Sequence, residues 1–383
     1  MRLTYLDNNA TTMPAPEVVA EMNQYLTDYW GNPSSAHRFG QRARQGVDIA
    51  RQQLADLVGV EANDIWFAGG GTEAVNTNIR NLLASRGHRK KIITSTVEHS
   101  ATRELGLQLE REGYQVVRIG VDRQGDLDLS QLLTEVDDDT ALVSMIWANN
   151  ETGVVFPVDQ IVAICHGCGV PFHTDATQAV GKIVTDFRAA GVDSATFASH
   201  KFHGPKGLGI AYARKGLRVR PMILGGPQER GRRGGTENVP GIVGAGKAAE
   251  LAKAALADAP AIAAKRDRLQ AAILQSIDEA HVNGSLVHRV PNTTNIGFSR
   301  LQSEAILLLL SEQGICASAG AACSSGSLEP SHVMRAMKVP DVIAHGAVRF
   351  SLSRYTTDEE INRCIEVLPA VINKLRAVLP VSV

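Results

Sequence analysis

The chain has 383 residues, 44% of them hydrophobic and 21% charged, with a net charge of −1; these globular values leave no compositional case for disorder, nucleic acid or an anionic membrane as partner. Its longest apolar run, residues 305–310, is far below the roughly 18 residues needed to span a bilayer, and the N-terminus turns polar too early for a signal peptide, so a cytoplasmic protein without a membrane partner is expected. Five cysteines (Cys165, Cys168, Cys316, Cys323 and Cys364) are an odd count that argues against a disulfide framework, and the length predicts two domains.

Residues 1–14 read as a short strand and a polar turn. Pro16, a residue favoured in a first helical turn, opens a helix to residue 29. After the loop WGNPSS comes an amphipathic helix over 40–58. Apolar runs at 65–68, 91–95, 115–119, 141–147, 170–174, 194–198 and 209–213 then alternate with helical patterns. That alternation predicts a seven-stranded, mainly parallel sheet with helices on both faces. Between the first of these strands and its helix stands FAGGGTE. Its glycines let backbone approach an anion, and the helix start offers unpaired N–H groups; the alternative is an ordinary strand-to-helix turn. Neither a P-loop nor a dinucleotide fingerprint is present.

Cys165 and Cys168 form a C-x-x-C without a second pair at metal-site spacing, at the end of an apolar helical run; a structural role is expected. Asp175 falls at the carboxyl end of the 170–174 strand, where open α/β sheets place ligands. After the 194–198 strand the chain turns through Ser199-His200-Lys201 into Gly204-Pro205-Lys206-Gly207. A lysine held there forms a Schiff base if desolvation or nearby cations strip its proton, although most lysine-rich turns are solvated surface. A carboxylate and a lysine at neighbouring strand ends suit pyridoxal phosphate, one for the ring nitrogen and one for the aldehyde.

The basic stretch RGRRGGTEN (230–238) reads as a connector or as an anion contact lent to a partner subunit. Helices over 240–255 and 260–279 follow, the second acting as hinge to a smaller domain. That domain shows a strand (294–298), a helix (303–313), a Ser/Gly/Ala loop, a strand (347–352) and a last helix from 357. The division is therefore 15–258 for the large domain, and 1–14 with 259–383 for the small one. Cys323 sits among small residues with no apolar anchor, where a thiol is accessible and becomes nucleophilic if a positive neighbour lowers its pKa. Arg349, in a strand pattern, is a surface charge or a fork for a carboxylate.

The segments YLDNNATT, GNPSSAH, GGGTEAVN, VEHSAT, ANNETG, HTDATQAVGK, SHKFHGPKG, RRGGTEN, SLEPSHVMRAM and AHGAVRFSLSRYT run in unbroken order from residue 5 to 355. Together they resemble the cysteine desulfurases of the NifS/IscS type, among the class V aminotransferases of the fold type I pyridoxal phosphate enzymes. The last two look closest to the NifS branch, tied to nitrogenase maturation. The resemblance implies a homodimer, pyridoxal 5'-phosphate as cofactor, L-cysteine as substrate and an iron–sulfur scaffold protein as sulfur acceptor. It implies that Lys201 holds the cofactor covalently and that Asp175 keeps its ring nitrogen protonated. Gln178 would contact the ring hydroxyl, and His99 would stack on the ring and assist proton transfer. Gly71, Thr72 and His200 would hold the phosphate, with Thr236 reaching it from the other subunit. Asn150 would touch cofactor and substrate, and Arg349 would take the substrate carboxylate. Cys323 would form the persulfide, and is a candidate transient iron–sulfur ligand. Relatives often read Ser-Gly-His-Lys at the lysine; here Ala198 stands at the serine position, so either Ser199 substitutes or one phosphate hydrogen bond is missing. Rival readings are a selenocysteine lyase, a catalytically silent assembly scaffold, and a simple aminotransferase that would leave the Cys323 loop unexplained.

Overall fold

The computed structural model of the chain describes residues 3–319 and 329–378; Cys323 lies outside the described residues. A short strand, β1 (Thr4–Tyr5), leads to α1 (Pro16–Thr27), which proline opens at its first turn. Helix α2 (Arg38–Val58) starts at the His37 ring, which accepts from the Gly40 N–H, and stops at Gly59 in the left-handed conformation.

The apolar runs then become β2 (Ile65–Ala68), β3 (Lys91–Ser95), β4 (Gln115–Ile119), β5 (Thr140–Ile146), β6 (Phe172–Asp175), β7 (Ser194–Ala198) and β8 (Gly209–Ala213). Between them lie α3 (Gly71–Ala84), α4 (Ser100–Arg111), α5 (Leu129–Glu135) and α6 (Val158–Gly167). In space the strands form one sheet in the order β2-β8-β7-β6-β5-β3-β4. The pairings from β7 through β4 are parallel, whereas β8 is antiparallel to both β7 and β2. The link from β7 to β8 holds only a 3₁₀ turn at Ser199–Lys201, too little chain for the crossover that a parallel neighbour requires. Alternate residues face opposite sides of the sheet: Ile92 and Leu142 pack with Val75, Ile79 and Leu105 of α3 and α4, while Ile93 and Val143 join the core shared with α2, α6 and α7 (Val239–Ala255).

A second core follows α7. The chain there forms α8 (Ala259–Ser276), β9 (Ala280–Asn283), β10 (Thr293–Phe298), α9 (Ser303–Glu312), β11 (Ile315–Cys316), α10 (His332–Ala336), α11 (Asp341–Ala344), β12 (Ala347–Ser351) and α12 (Asp358–Val378), of which α10 and α11 send Val333, Met334 and Ala344 into the first core instead. Strands β12, β10 and β9 form an antiparallel sheet whose Ile296, Phe298, Val348 and Phe350 pack with Leu269 and Leu368. Leu6 belongs to this core too, because β1 pairs with β11. The N-terminal turn therefore starts in the second core and ends at the rim of the large sheet.

One buried ion pair ties the basic glycine-rich stretch to the large core. Both carboxylate oxygens of Glu229 accept from Arg51, each at 2.7 Å, and one also takes the Phe67 N–H at 3.0 Å. Arg51 lies over the Phe67 ring at 4.6 Å. Glu229 holds a left-handed backbone (φ 47°) to reach this place, a strain that the fork-to-fork pairing offsets. Replacing Glu229 by Ala leaves Arg51 buried and uncompensated, and is expected to cost about 3–5 kcal/mol in a urea or thermal unfolding measurement. A loss below about 1 kcal/mol would show that the pair does not anchor this stretch.

Candidate active site

The parallel strands of the large sheet end at one edge, and the turns after β2, β3, β5, β6 and β7 converge there on a cavity of about 430 Å³. This is the edge at which α/β sheets present side chains to ligands. Gly71, Thr72, His99, Asn150, Asp175, Gln178, His200, Lys201 and Arg349, all singled out in the sequence, line it together.

At its centre the Lys201 amine donates to the carbonyls of Asn9 (2.7 Å) and Ala10 (2.8 Å) in the N-terminal turn. The Asn9 carbonyl also accepts from Gln178 Nε2 at 2.9 Å. Asn9 Oδ1 accepts from Lys182 Nζ at 2.8 Å, and Lys182 donates as well to Gln178 Oε1. Asn9 and Lys182 lie within recognised segments, yet no spacing rule marks them, because their importance arises where distant turns meet.

Asp175, at the end of β6, is 5% exposed and accepts the Thr177 N–H at 3.0 Å. His99 caps α4: its Nδ1 accepts the Ala101 N–H at 3.2 Å, so in the neutral ring Nε2 carries the hydrogen. Burial holds the His99 pKa below its ordinary value, with Asp175 opposing and Lys201 and Arg103 adding to the shift. His200 is pushed down to about 4, first by burial and then by Lys201, Lys206 and Lys182, so it is neutral at pH 7. Its Nδ1 lies 3.1 Å from the Thr11 hydroxyl.

The Gly70–Gly71 turn opens α3 with no side-chain cap, so the first N–H groups of this helix face the cavity as an anion site. A Cβ on Gly209 would sit 2.2 Å from the Gly70 carbonyl oxygen, so β8 must carry glycine there for this turn to lie down on the strand. Ala198 lines the cavity beside Gly71. Ser199 does not: it is buried, and its hydroxyl donates to the Pro205 carbonyl at 2.7 Å. Of the two alternatives open for Ala198, a missing phosphate hydrogen bond is the one this internal hydrogen bond of Ser199 favours. Thr236 is exposed and outside the cavity of its own chain.

Arg349, 2% exposed on β12, donates to the Asn150 carbonyl (2.9 Å) and to Asp7 Oδ1 (2.6 Å). Two carboxyls in the neighbourhood escaped the sequence reading. Glu151 lines the cavity, accepts from the Ser331 hydroxyl at 2.6 Å, and is pushed up to about 7 by burial. Glu98 accepts the Ser95 hydroxyl at 2.5 Å and the Ile146 N–H at 3.0 Å, and burial pushes it up to about 8. Cys165 is buried in the core and Cys168 exposed; among the described residues no cluster of His, Cys, Asp or Glu could hold a metal ion. The cavity thus offers an amine for a carbonyl carbon, a carboxylate for a protonated ring nitrogen, and a helix start for a phosphate. That donor set fits a phosphorylated pyridine aldehyde.

Residues 4–364 match the family described as aminotransferase class V. The chain is similar to cysteine desulfurase 2 of Trichormus variabilis, 50% identical over 382 residues, covering 100% of this chain and 96% of that protein. It is similar to the cysteine desulfurase NifS of Azotobacter vinelandii, 48% identical, covering 98% and 94%. Among solved structures, a NifS-like protein superposes with a TM-score of 0.92 at 37% identity, covering 98% of this chain and 100% of that one. The structure titled SspA in complex with cysteine matches with a TM-score of 0.81 at 29% identity, covering 92% and 100%.

The raised carboxyls give the fold a pH signature. Folded Glu98 keeps its proton to about pH 8, whereas the unfolded chain releases it near the ordinary value of 4.5. Stability is therefore intact at low pH and is withdrawn as pH rises toward 8. Glu98→Gln, which cannot ionise, is expected to raise the melting temperature by a few degrees at pH 8 and to change it little at pH 5. Equal effects at both pH values would contradict the assignment.

Proposed function

We infer the function from one premise: this chain belongs to the class V aminotransferase family and, within it, to the cysteine desulfurases. It is an enzyme that takes sulfur from L-cysteine and leaves L-alanine, in a family that works with pyridoxal 5'-phosphate. One observation carries the assignment to this cavity: Lys201, Asp175, His99 and the uncapped start of α3 meet in a single space at the sheet edge.

In this reading Lys201 would hold the cofactor covalently, Asp175 would pair with its ring nitrogen and His99 would stack on its ring. The Gln178 amide would contact the ring hydroxyl, while Gly71, Thr72 and His200 would hold the phosphate. Bound there, the cofactor supplies an electron sink that loosens the bonds at the substrate Cα and, through it, the Cβ–S bond. The chain does the rest. Arg349 and Asn150 hold the carboxylate of the amino acid, and Arg349 brings its charge with its own counter-ion, Asp7, already beside it. Once the amino group of the substrate has taken its place on the cofactor, the freed Lys201 amine would take the proton from Cα, and the His99 Nε2–H lies on the same cavity wall as a second proton carrier. Cys323, as thiolate, would attack the substrate sulfur; the Cβ–S bond breaks with its electron pair left on carbon, which takes a proton on the way to alanine, and the sulfur stays on Cys323 as a persulfide.

Several finer features belong to the same proposal. A homodimer is supported by exposed apolar side chains such as Trp30 (69%) and Leu224 (82%), and Thr236 serves the partner's site. An iron–sulfur scaffold protein receives the sulfur, and kinship to NifS supports a part in nitrogenase maturation. The division into residues 15–258 and residues 1–14 with 259–383 is supported by the separate second core that Leu6 joins. Among the described residues no helix is long and apolar enough to cross a membrane, and we place the enzyme in the cytoplasm.

The test is alanine formed from L-cysteine and from L-selenocysteine by the cofactor-loaded protein with a reductant. Turnover of cysteine is expected, lowered by roughly a thousandfold in Lys201→Ala and abolished in Cys323→Ser with the cofactor still bound. Turnover of selenocysteine alone would make the protein a lyase, and turnover of neither would leave a silent scaffold. Since Ser199 is committed to Pro205, Ala198→Ser should add a hydrogen bond to the phosphate worth about 1.5–3 kcal/mol, tightening the cofactor dissociation constant by roughly tenfold or more. An unchanged constant on titration would count against this placement of the phosphate.

A further inference from the structure

Behind Lys201 lies a second, smaller space of about 40 Å³, bounded by Asn8, Thr12, Lys182, Lys201 and Arg354. Lys182 stands in the wall between this space and the main cavity, without lining the main cavity itself. Its amine donates to Asn9 Oδ1 at 2.8 Å and to Gln178 Oε1. The Asn9 carbonyl accepts from both Lys201 Nζ and Gln178 Nε2, and Gln178 lines the main cavity with the remaining N–H of that amide still to be placed. An amide side chain can face either way, and its partners decide which. With Oε1 held by Lys182, Gln178 can present only its N–H end elsewhere.

Positive charge near this amine comes from Lys201 in the turn after β7, Arg349 of β12 and Arg354 across the small space, while His200 and His203, both pushed down to about 4 by burial first, face it as neutral rings at pH 7. Burial, then the charges of Lys201 and Arg349, holds the Lys182 amine well below its ordinary pKa. Two acceptors, Asn9 Oδ1 and Gln178 Oε1, take its N–H groups, so its contact with the cavity runs through these two side chains.

We propose that Lys182 is a positioning residue of this active site, which fixes the donor end of Gln178 toward the cofactor's ring oxygen and anchors the Asn9 turn that receives Lys201. The proposal rests on the reading of the cavity as a pyridoxal phosphate site. A donor aimed at an anionic oxygen stabilises the deprotonated form and lowers its pKa. If Lys182 is replaced by an apolar residue, the Gln178 amide keeps its bond to the Asn9 carbonyl but loses the one that fixes Oε1, the donor is lost for part of the time, and the pH midpoint of the bound cofactor's visible absorption moves up.

The experiment titrates that absorption with pH in cofactor-loaded wild type, K182M, Q178L and the double variant, with kcat and KM for L-cysteine and melting temperatures measured alongside. The midpoint in K182M is expected to rise by roughly 1 pH unit, with kcat reduced and KM little changed. In the Q178L background K182M should add no further shift, since both act through one amide. K182A, which leaves room for water in place of an apolar chain, is carried in parallel and should shift the same way. A wild-type midpoint in whichever variant is soluble overturns the proposal, even if its melting temperature falls, because that would be a purely structural role. A full K182M shift in the Q178L background overturns it as well. Failure of the wild type to bind the cofactor or to form alanine would instead defeat the reading of the cavity itself.

Discussion

The constraint on which the rest depends is the N-terminal turn, pinned by hydrogen bonds on both sides. Toward the second core, Leu6 is buried, the Asn8 N–H and side chain reach the Ser351 carbonyl, and the Asn9 N–H reaches the Ser351 hydroxyl. Toward the large sheet, the Thr12 N–H and hydroxyl both bond the His200 carbonyl, and the Asn9 carbonyl receives Lys201 and Gln178. Apolar contact alone would let these parts slide. Hydrogen bonds are directional, and buried ones are costly to leave unmade. Three distant stretches of chain thus arrive at the site with little freedom left.

Electrostatics follows from the same enclosure. His99, His200 and His173 are all held below the ordinary imidazole pKa by burial, while Glu98 and Glu151 are pushed up by it. Burial therefore drives histidines and glutamates alike toward their neutral forms near pH 7. The charged groups that remain at the cavity include Arg349, which carries its own partner in Asp7. Around a half-buried amine such as Lys201, small changes in hydrogen bonding have larger effects than they would in bulk water.

Much of the architecture was legible in the chain. The seven strands of the main sheet stand where runs rich in β-branched and apolar residues stood, because most of them are buried on both faces. The direction of β8 was not legible, since it depends on how little chain connects it to β7. Strand β9, with Ala280 and Val282 as its apolar positions, carries too weak an alternation to be read. In the site, Asp175 and Lys201 could be found from their places at strand ends, and FAGGGTE from its glycines. Asn9, Lys182, Glu98 and Glu151 could not be assigned roles, because each owes its role to partners far away in sequence. The turn after β7 left two alternatives open in the sequence, because only the fold shows that the Ser199 hydroxyl is bonded to the Pro205 carbonyl.

The central claim is that, of the lysines crowded at this edge, Lys201 carries the cofactor while Lys182 stays behind it. Reduction of the cofactor-loaded protein with borohydride, followed by peptide mapping by mass spectrometry, tests this directly. The account predicts the phosphopyridoxyl group on Lys201 in wild type and in Lys182→Met. A label on Lys182 or Lys206, or no covalent label at all, would contradict it.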